Sequence, residues 1–137
     1  MEFDIRTILM TMTAVAIALT IAMAIAWRLH RGTPGIGLWT IGIGFGAIGI
    51  IGLILRDRIP EYGSILLANA FVASASAFTW NGARAFAGLK TNWTVPGAVF
   101  VLFIGAMAYF TYVEPDFGAR LALVSFVLAA GYGPCAF

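Results

Sequence analysis

Charge is missing from the long apolar stretches of this chain. All 14 charged residues, eight Lys or Arg and six Asp or Glu, fall near the N-terminus or in short gaps between stretches. Proton and ion relays inside a membrane use ionisable groups at depth, so their absence from the stretches argues against such chemistry. Cysteine is nearly missing as well. With Cys135 alone, neither an intrachain disulfide nor a CxxC redox or zinc site can form. Histidine is represented only by His30, which excludes a haem held by two protein imidazoles. No phosphate-cradling glycine loop followed by Lys occurs, and no nucleic-acid partner is expected.

What the chain does have is apolar length. Hydrophobic residues make up 61% and charged residues 10%, whereas soluble domains carry roughly 25% charge. Residues 8–27, 36–55, 64–80 and 95–113 each run 17 to 20 residues without Asp, Glu, Lys or Arg. At about 1.5 Å per residue such helices cross a hydrocarbon core of about 30 Å. A fifth run, 121–137, is marginal as a span because Gly131, Gly133 and Pro134 interrupt its last turns. The predicted fold is an all-α integral membrane bundle of four spans plus this fifth, forming a single domain over residues 1–137. Spans use up nearly the whole sequence, so no catalytic domain, metal or cofactor is expected.

Ala24-Ile25-Ala26 has the small-residue pattern of a signal cleavage site. Glu2 and Asp4 against Arg6, and the length of the apolar run, favour a retained first span instead. Alternating spans put Arg6, Arg56, Arg58 and Arg120 on one face with all six acids, net −2, and Arg28, Arg31, Arg84 and Lys90 on the other, net +4. The basic counts tie. The unneutralised Arg28-Leu29-His30-Arg31 cluster places the all-basic face in the cytoplasm and the N-terminus outside, in a bacterial inner membrane. Trp27, Trp39, Trp80 and Trp93 lie near span ends on the basic face, and Tyr62, Tyr109 and Tyr112 near the acidic one, as interfacial aromatics do. Arg28 and Arg31 can touch anionic lipid headgroups. Asn92-Trp93-Thr94 matches a glycosylation acceptor but abuts a span on the predicted cytoplasmic side.

Small residues mark packing seams: Gly42, Gly46 and Gly49 in the second span, Ala14, Ala18 and Ala22 in the first, and Ala70 with Ser74 in the third. Such residues let helix backbones approach in lipid, which gives no hydrophobic drive for association. The seams are expected to pack the bundle, with a homodimer as the alternative use of one of them. Asn69 is the most polar side chain within a predicted span and is expected to bond between helices. Asp4, Arg6, Arg56, Arg58, Glu61, Asp116 and Arg120 converge at the acidic boundary. They form either a solvated rim of weak ion pairs or an outward vestibule with Asn69 below it.

Several short segments, in order, resemble the N-terminal membrane region of bacterial diguanylate cyclases of the GGDEF class. They are Phe3-Asp4-Ile5-Arg6-Thr7, Pro34-Gly35-Ile36-Gly37-Leu38-Trp39, Arg58-Ile59-Pro60-Glu61 with Ser64 to Asn69, Gly82-Ala83-Arg84-Ala85-Phe86, and Tyr112 to Asp116 with Ala119-Arg120-Leu121. The resemblance implies a sensory or anchoring module coupled to a cytoplasmic signalling domain that makes cyclic di-GMP. The 137 residues hold no cyclase domain or signature loop, and the family lends no site residue. The alternatives from other classes are a small oligomeric transporter subunit and a passive membrane anchor.

Overall fold

Helix ends in this chain are set by local chemistry that hydropathy does not report. The computed structural model describes residues 5–54 and 61–133, which form five helices: α1 (Ile5–Leu29), α2 (Ile36–Ile54), α3 (Glu61–Phe86), α4 (Thr94–Tyr112) and α5 (Phe117–Tyr132). There is no strand among the described residues. α3 runs well past Trp80, through Asn81-Gly82-Ala83-Arg84, and stops where Gly88 takes φ +74°. There the Leu89 amide donates to the Arg84 carbonyl at 2.8 Å and the Gly88 amide to Ala85 at 3.1 Å, a paired closure that satisfies the last carbonyls of the helix. α5 begins before Leu121 because Asp116, in extended backbone, accepts from the amides of Gly118 at 2.8 Å and Ala119 at 3.1 Å. An Asp at this position satisfies donors that the first turn leaves free.

α1 (Met10–Leu29) and α4 (Thr94–Tyr112) are long and apolar enough to cross a membrane. The apolar parts of α2 (Ile36–Gly52) and of α5 are shorter, and α3 is long but carries Ser, Thr, Asn and Arg. That polarity follows from position. α3 is the central helix, packed by α2, α4 and α5, whereas α1 touches α2 alone among the described elements. Side chains that bond backbone within such an interior need no water: Ser74 donates to Ala70 at 2.8 Å and Thr79 to Ala75 at 2.9 Å.

Contacts along the helices fix their directions. Gly42 of α2 lies against Ala75 and Thr79, and Gly49 against Ala68 and Val72, so α2 and α3 are antiparallel. A Cβ at Gly42 or Gly49 would stand 3.1 Å from the carbonyl oxygen of Ala75 or Ala68, so these backbones touch without a side chain between them. α1 meets α2 through Thr20, over Gly44, and Trp27, over Gly37. Thr40 adds a bond to the Met23 carbonyl of α1 at 3.2 Å. Ala14, Ala18 and Ala22 are exposed, so they are not buried in this contact. The physical reason is that the glycine hollows of α2 accept bulky α1 side chains, so α1 needs no small face of its own there.

The remaining corner is built differently. Ala73 of α3, Phe103 and Met107 of α4, and Val127 of α5 form a buried cluster, flanked by Leu66, Val99, Phe100 and Val124. α5 runs parallel to α3, with Arg120 level with Asn69 and Gly131 level with Ser76. Arg28, His30, Arg31, Arg84 and Lys90 are consequently gathered at one end of the bundle, with Glu114, Asp116 and Arg120 at the other.

Candidate functional site

Asn81 and the turn beyond it make the most completely satisfied polar unit of the structure. The side chain is 0% exposed; its amide nitrogen bonds the Ala77 carbonyl at 3.3 Å, and its oxygen accepts the Asn92 amide at 2.7 Å. Asn92 in turn accepts from Thr94 at 3.0 Å, so the two asparagines connect α3 to the start of α4. Arg84 closes the same turn by donating Nε to the Lys90 carbonyl at 3.1 Å, and its guanidinium stacks over Trp80 at 4.9 Å from the ring centroid. On the other flank of α3, Trp39 donates to the Thr79 carbonyl at 3.1 Å, faces Phe86 and lies on Gly82. Trp39 is thus a packing and bonding residue as well as a residue near a helix end. Trp93 meets Phe78 edge-on at 5.0 Å, and Phe78 continues to Phe45 at 5.3 Å.

Directly below this end lies a crevice of about 230 Å3 between α3, α4 and α5. Ala77 and Trp80 of α3, Val95, Pro96 and Val99 of α4, and Ala130 and Gly131 of α5 are among its walls. It exists because α5 reaches its last turn beside Ser76, while α3 continues ten residues further to Phe86. Gly131 approaches Ser76 so closely that a Cβ would stand 2.6 Å from the serine Cβ. Ser76 is the crevice's small polar residue, and its hydroxyl is bonded to Val72 at 3.3 Å.

At the opposite end a smaller group of the expected vestibule residues comes together. Asn69 and Arg120 line one cavity of about 260 Å3 with Ile65, Met107, Phe117, Leu121 and Val124. Arg120 donates Nε to the Asp116 carbonyl at 3.3 Å and lies over the Phe117 ring. Asp116 is occupied as the α5 cap, and Asn69 bonds the Ile65 carbonyl of its own helix at 2.8 Å. Asp4, Arg56 and Arg58 lie outside the described residues, as do the side chains of Arg6 and Glu61. A third, shallower groove runs along α1 beside Ile50 of α2.

Every buried side-chain nitrogen or oxygen among the described residues has a partner, and no group of three His, Cys, Asp or Glu is close enough to hold a metal. The sequence reading passed over Asn81 because it ended the span at Trp80. The usable signal was an Asn-Gly pair one turn before Arg84, with an Asn-Trp-Thr at the next helix start. Against protein-family models, curated proteins and solved structures the chain has no match.

Proposed function

We propose that this chain is a multi-pass transmembrane input module of a bacterial signalling protein, without catalysis of its own. One observation carries the membrane half of this reading: large apolar side chains cover the outside of a bundle that also buries polar ones. Ile17, Leu19, Ile21 and Ile25 on α1, Val101 and Leu102 on α4, and Phe126 on α5 are exposed. Thr40, Ser76, Asn81 and Thr111 are buried. So many exposed large apolar side chains are unfavourable in water and suit lipid. In a bilayer, interior Ser, Thr and Asn pair with backbone, and the helices associate through small residues such as Gly42 and Gly49.

The signalling half rests on the resemblance to the membrane regions of diguanylate cyclases. Mechanistically, a stimulus would bias two packings of the bundle, and it can do so only by interacting differently with each. The α1–α2 contact is the natural place for such a shift, because α1 is held from one side. The acidic end, with Asn69 and Arg120 on a shared cavity, would face outward and the all-basic end inward.

Two measurements test the reading. Single-cysteine variants Thr33→Cys and Glu114→Cys, in a Cys135→Ser background, should react with an impermeant maleimide from opposite sides of the inner membrane. Labelling of both from one side would overturn the multi-pass arrangement. The chain should also be joined to a diguanylate cyclase domain and cyclic di-GMP measured in cells. Output that changes with Gly44→Leu, at the α1–α2 contact, supports a sensory role. Unchanged output from equally abundant protein leaves a passive anchor, and ion or solute flux in proteoliposomes would favour the transporter subunit.

A further inference from the structure

We propose that the crevice between α3, α4 and α5 seats an acyl chain of an anionic phospholipid, with its phosphate held at Arg84. The inference rests on the membrane reading above and gives this crevice a ligand. Its volume, about 230 Å3, is below the roughly 300 to 1,000 Å3 of small-molecule pockets. That size suits a segment of a flexible chain better than a whole compact ligand. The walls are Ala77, Val99, Phe100, Val127 and Ala130, and the Ser76 hydroxyl is already bonded within its own helix. No side chain there offers an unpaired buried polar atom to a polar ligand.

Charge at the mouth selects the headgroup. Trp80 walls the crevice, and the Arg84 guanidinium lies on its ring, held in place by the bond from Nε to the Lys90 carbonyl. Lys90 is exposed on the same turn, and among the described residues no acidic residue lies at this end. Val95 and Pro96, in the first turn of α4, also line the crevice, so its wall on that side is apolar up to the level of Trp80. Arg84 held over the Trp80 indole, with exposed Lys90 on the same turn, above an apolar slot matches a lipid phosphate with its chain below. The indole side would lie at headgroup depth, the usual level for Trp.

Native mass spectrometry of the full chain, released from detergent after incubation with equimolar phosphatidylglycerol and phosphatidylcholine, reads the occupancy. The expected result is preferential retention of one phosphatidylglycerol. Arg84→Gln should lower that preference about fivefold, the effect of one cation near a lipid surface. Ala130→Phe, at an exposed position on the crevice wall, should reduce retention of both lipids. Arg31→Gln, at the same end but beside α2, should leave retention unchanged. Equal retention of the two lipids by the unaltered chain, or an equal loss in Arg31→Gln and Arg84→Gln, overturns the proposal. So does unchanged retention in both Arg84→Gln and Ala130→Phe, the first of which keeps the wall intact should the second fold poorly. Carbonate extraction of cell membranes separates the two levels. A chain that washes off defeats the membrane reading, whereas an inserted chain indifferent to these substitutions defeats the lipid site alone.

Discussion

The two flanks of α3 are packed by opposite means. Toward α2 the contact is backbone on backbone: Gly42 and Gly49 lie against the carbonyls of Ala75 and Ala68, and the indole of Trp39 covers Gly82. Toward α4 and α5 it is mostly side chain on side chain, through Phe103, Met107 and Val127, with one close glycine approach where Gly131 meets Ser76. The first leaves little room for a methyl group at Gly42 and Gly49, while the second leaves a crevice beyond the last turn of α5. Under the membrane placement proposed above, close approach gains dispersion contacts that lipid would not match, and loose packing would leave space for lipid.

The comparison is broken most severely at the tight seam. Gly49→Leu sets a side chain against the Ala68 carbonyl and Val72, and is expected to cost about 3 kcal/mol, as severe overpacking does. Gly105→Leu on α4 is its control, since nothing lies within 4 Å of a Cβ there. Thermal unfolding in a mild detergent should show a large downward shift for the first variant and almost none for the second. Equal shifts would mean that helix propensity, not backbone contact, governs both.

Asn81→Ala comes next, because it strips the Asn92 amide of its acceptor at the junction of the two flanks. A buried donor left unpaired costs about 1 to 3 kcal/mol. Amide hydrogen exchange should quicken at Asn92 and across the 87–93 turn while the α1–α2 region keeps its protection. Uniform loosening would show that Asn81 holds the whole bundle together rather than one corner. A smaller effect is expected from Trp39→Phe, which keeps an aromatic ring over Gly82 but removes the bond to the Thr79 carbonyl. Interhelical hydrogen bonds in membranes average about 0.6 kcal/mol, so a shift several times larger would assign the tryptophan's contribution to ring packing.

How far the fold was readable follows the same division. Apolar length located all five helices, since each predicted run overlaps the helix found, and the glycine periodicity of α2 marked residues that do lie against α3. The helices extend past the uncharged runs where polar residues continue them. Asn81 and Arg84 continue α3, stabilised by the turn they face, and Asp116 opens α5 four residues before Leu121 through a capping bond. Which face of α1 meets α2 was not readable, because alanine every fourth residue and threonine every few residues are equally acceptable to a glycine surface. Of the vestibule, Asn69, Arg120 and Asp116 are described; composition could place them at one boundary but not reveal that Asp116 is engaged as a cap.

The α1 stripe gives the mildest test and the one most sensitive to partners. Ala14, Ala18 and Ala22 are exposed, so a leucine at Ala18 points largely into the surroundings. For an isolated chain, Ala18→Leu should change stability by less than about 0.5 kcal/mol, as exposed substitutions away from packing features do. Unfolding midpoints compared at two protein-to-detergent ratios make the measurement decisive. A midpoint insensitive to dilution, and to the substitution, agrees with a stripe bathed in lipid or detergent. A loss that grows as the protein is concentrated would mean that Ala18 faces another copy, since a small-residue surface tolerates leucine in lipid but not against a second helix backbone.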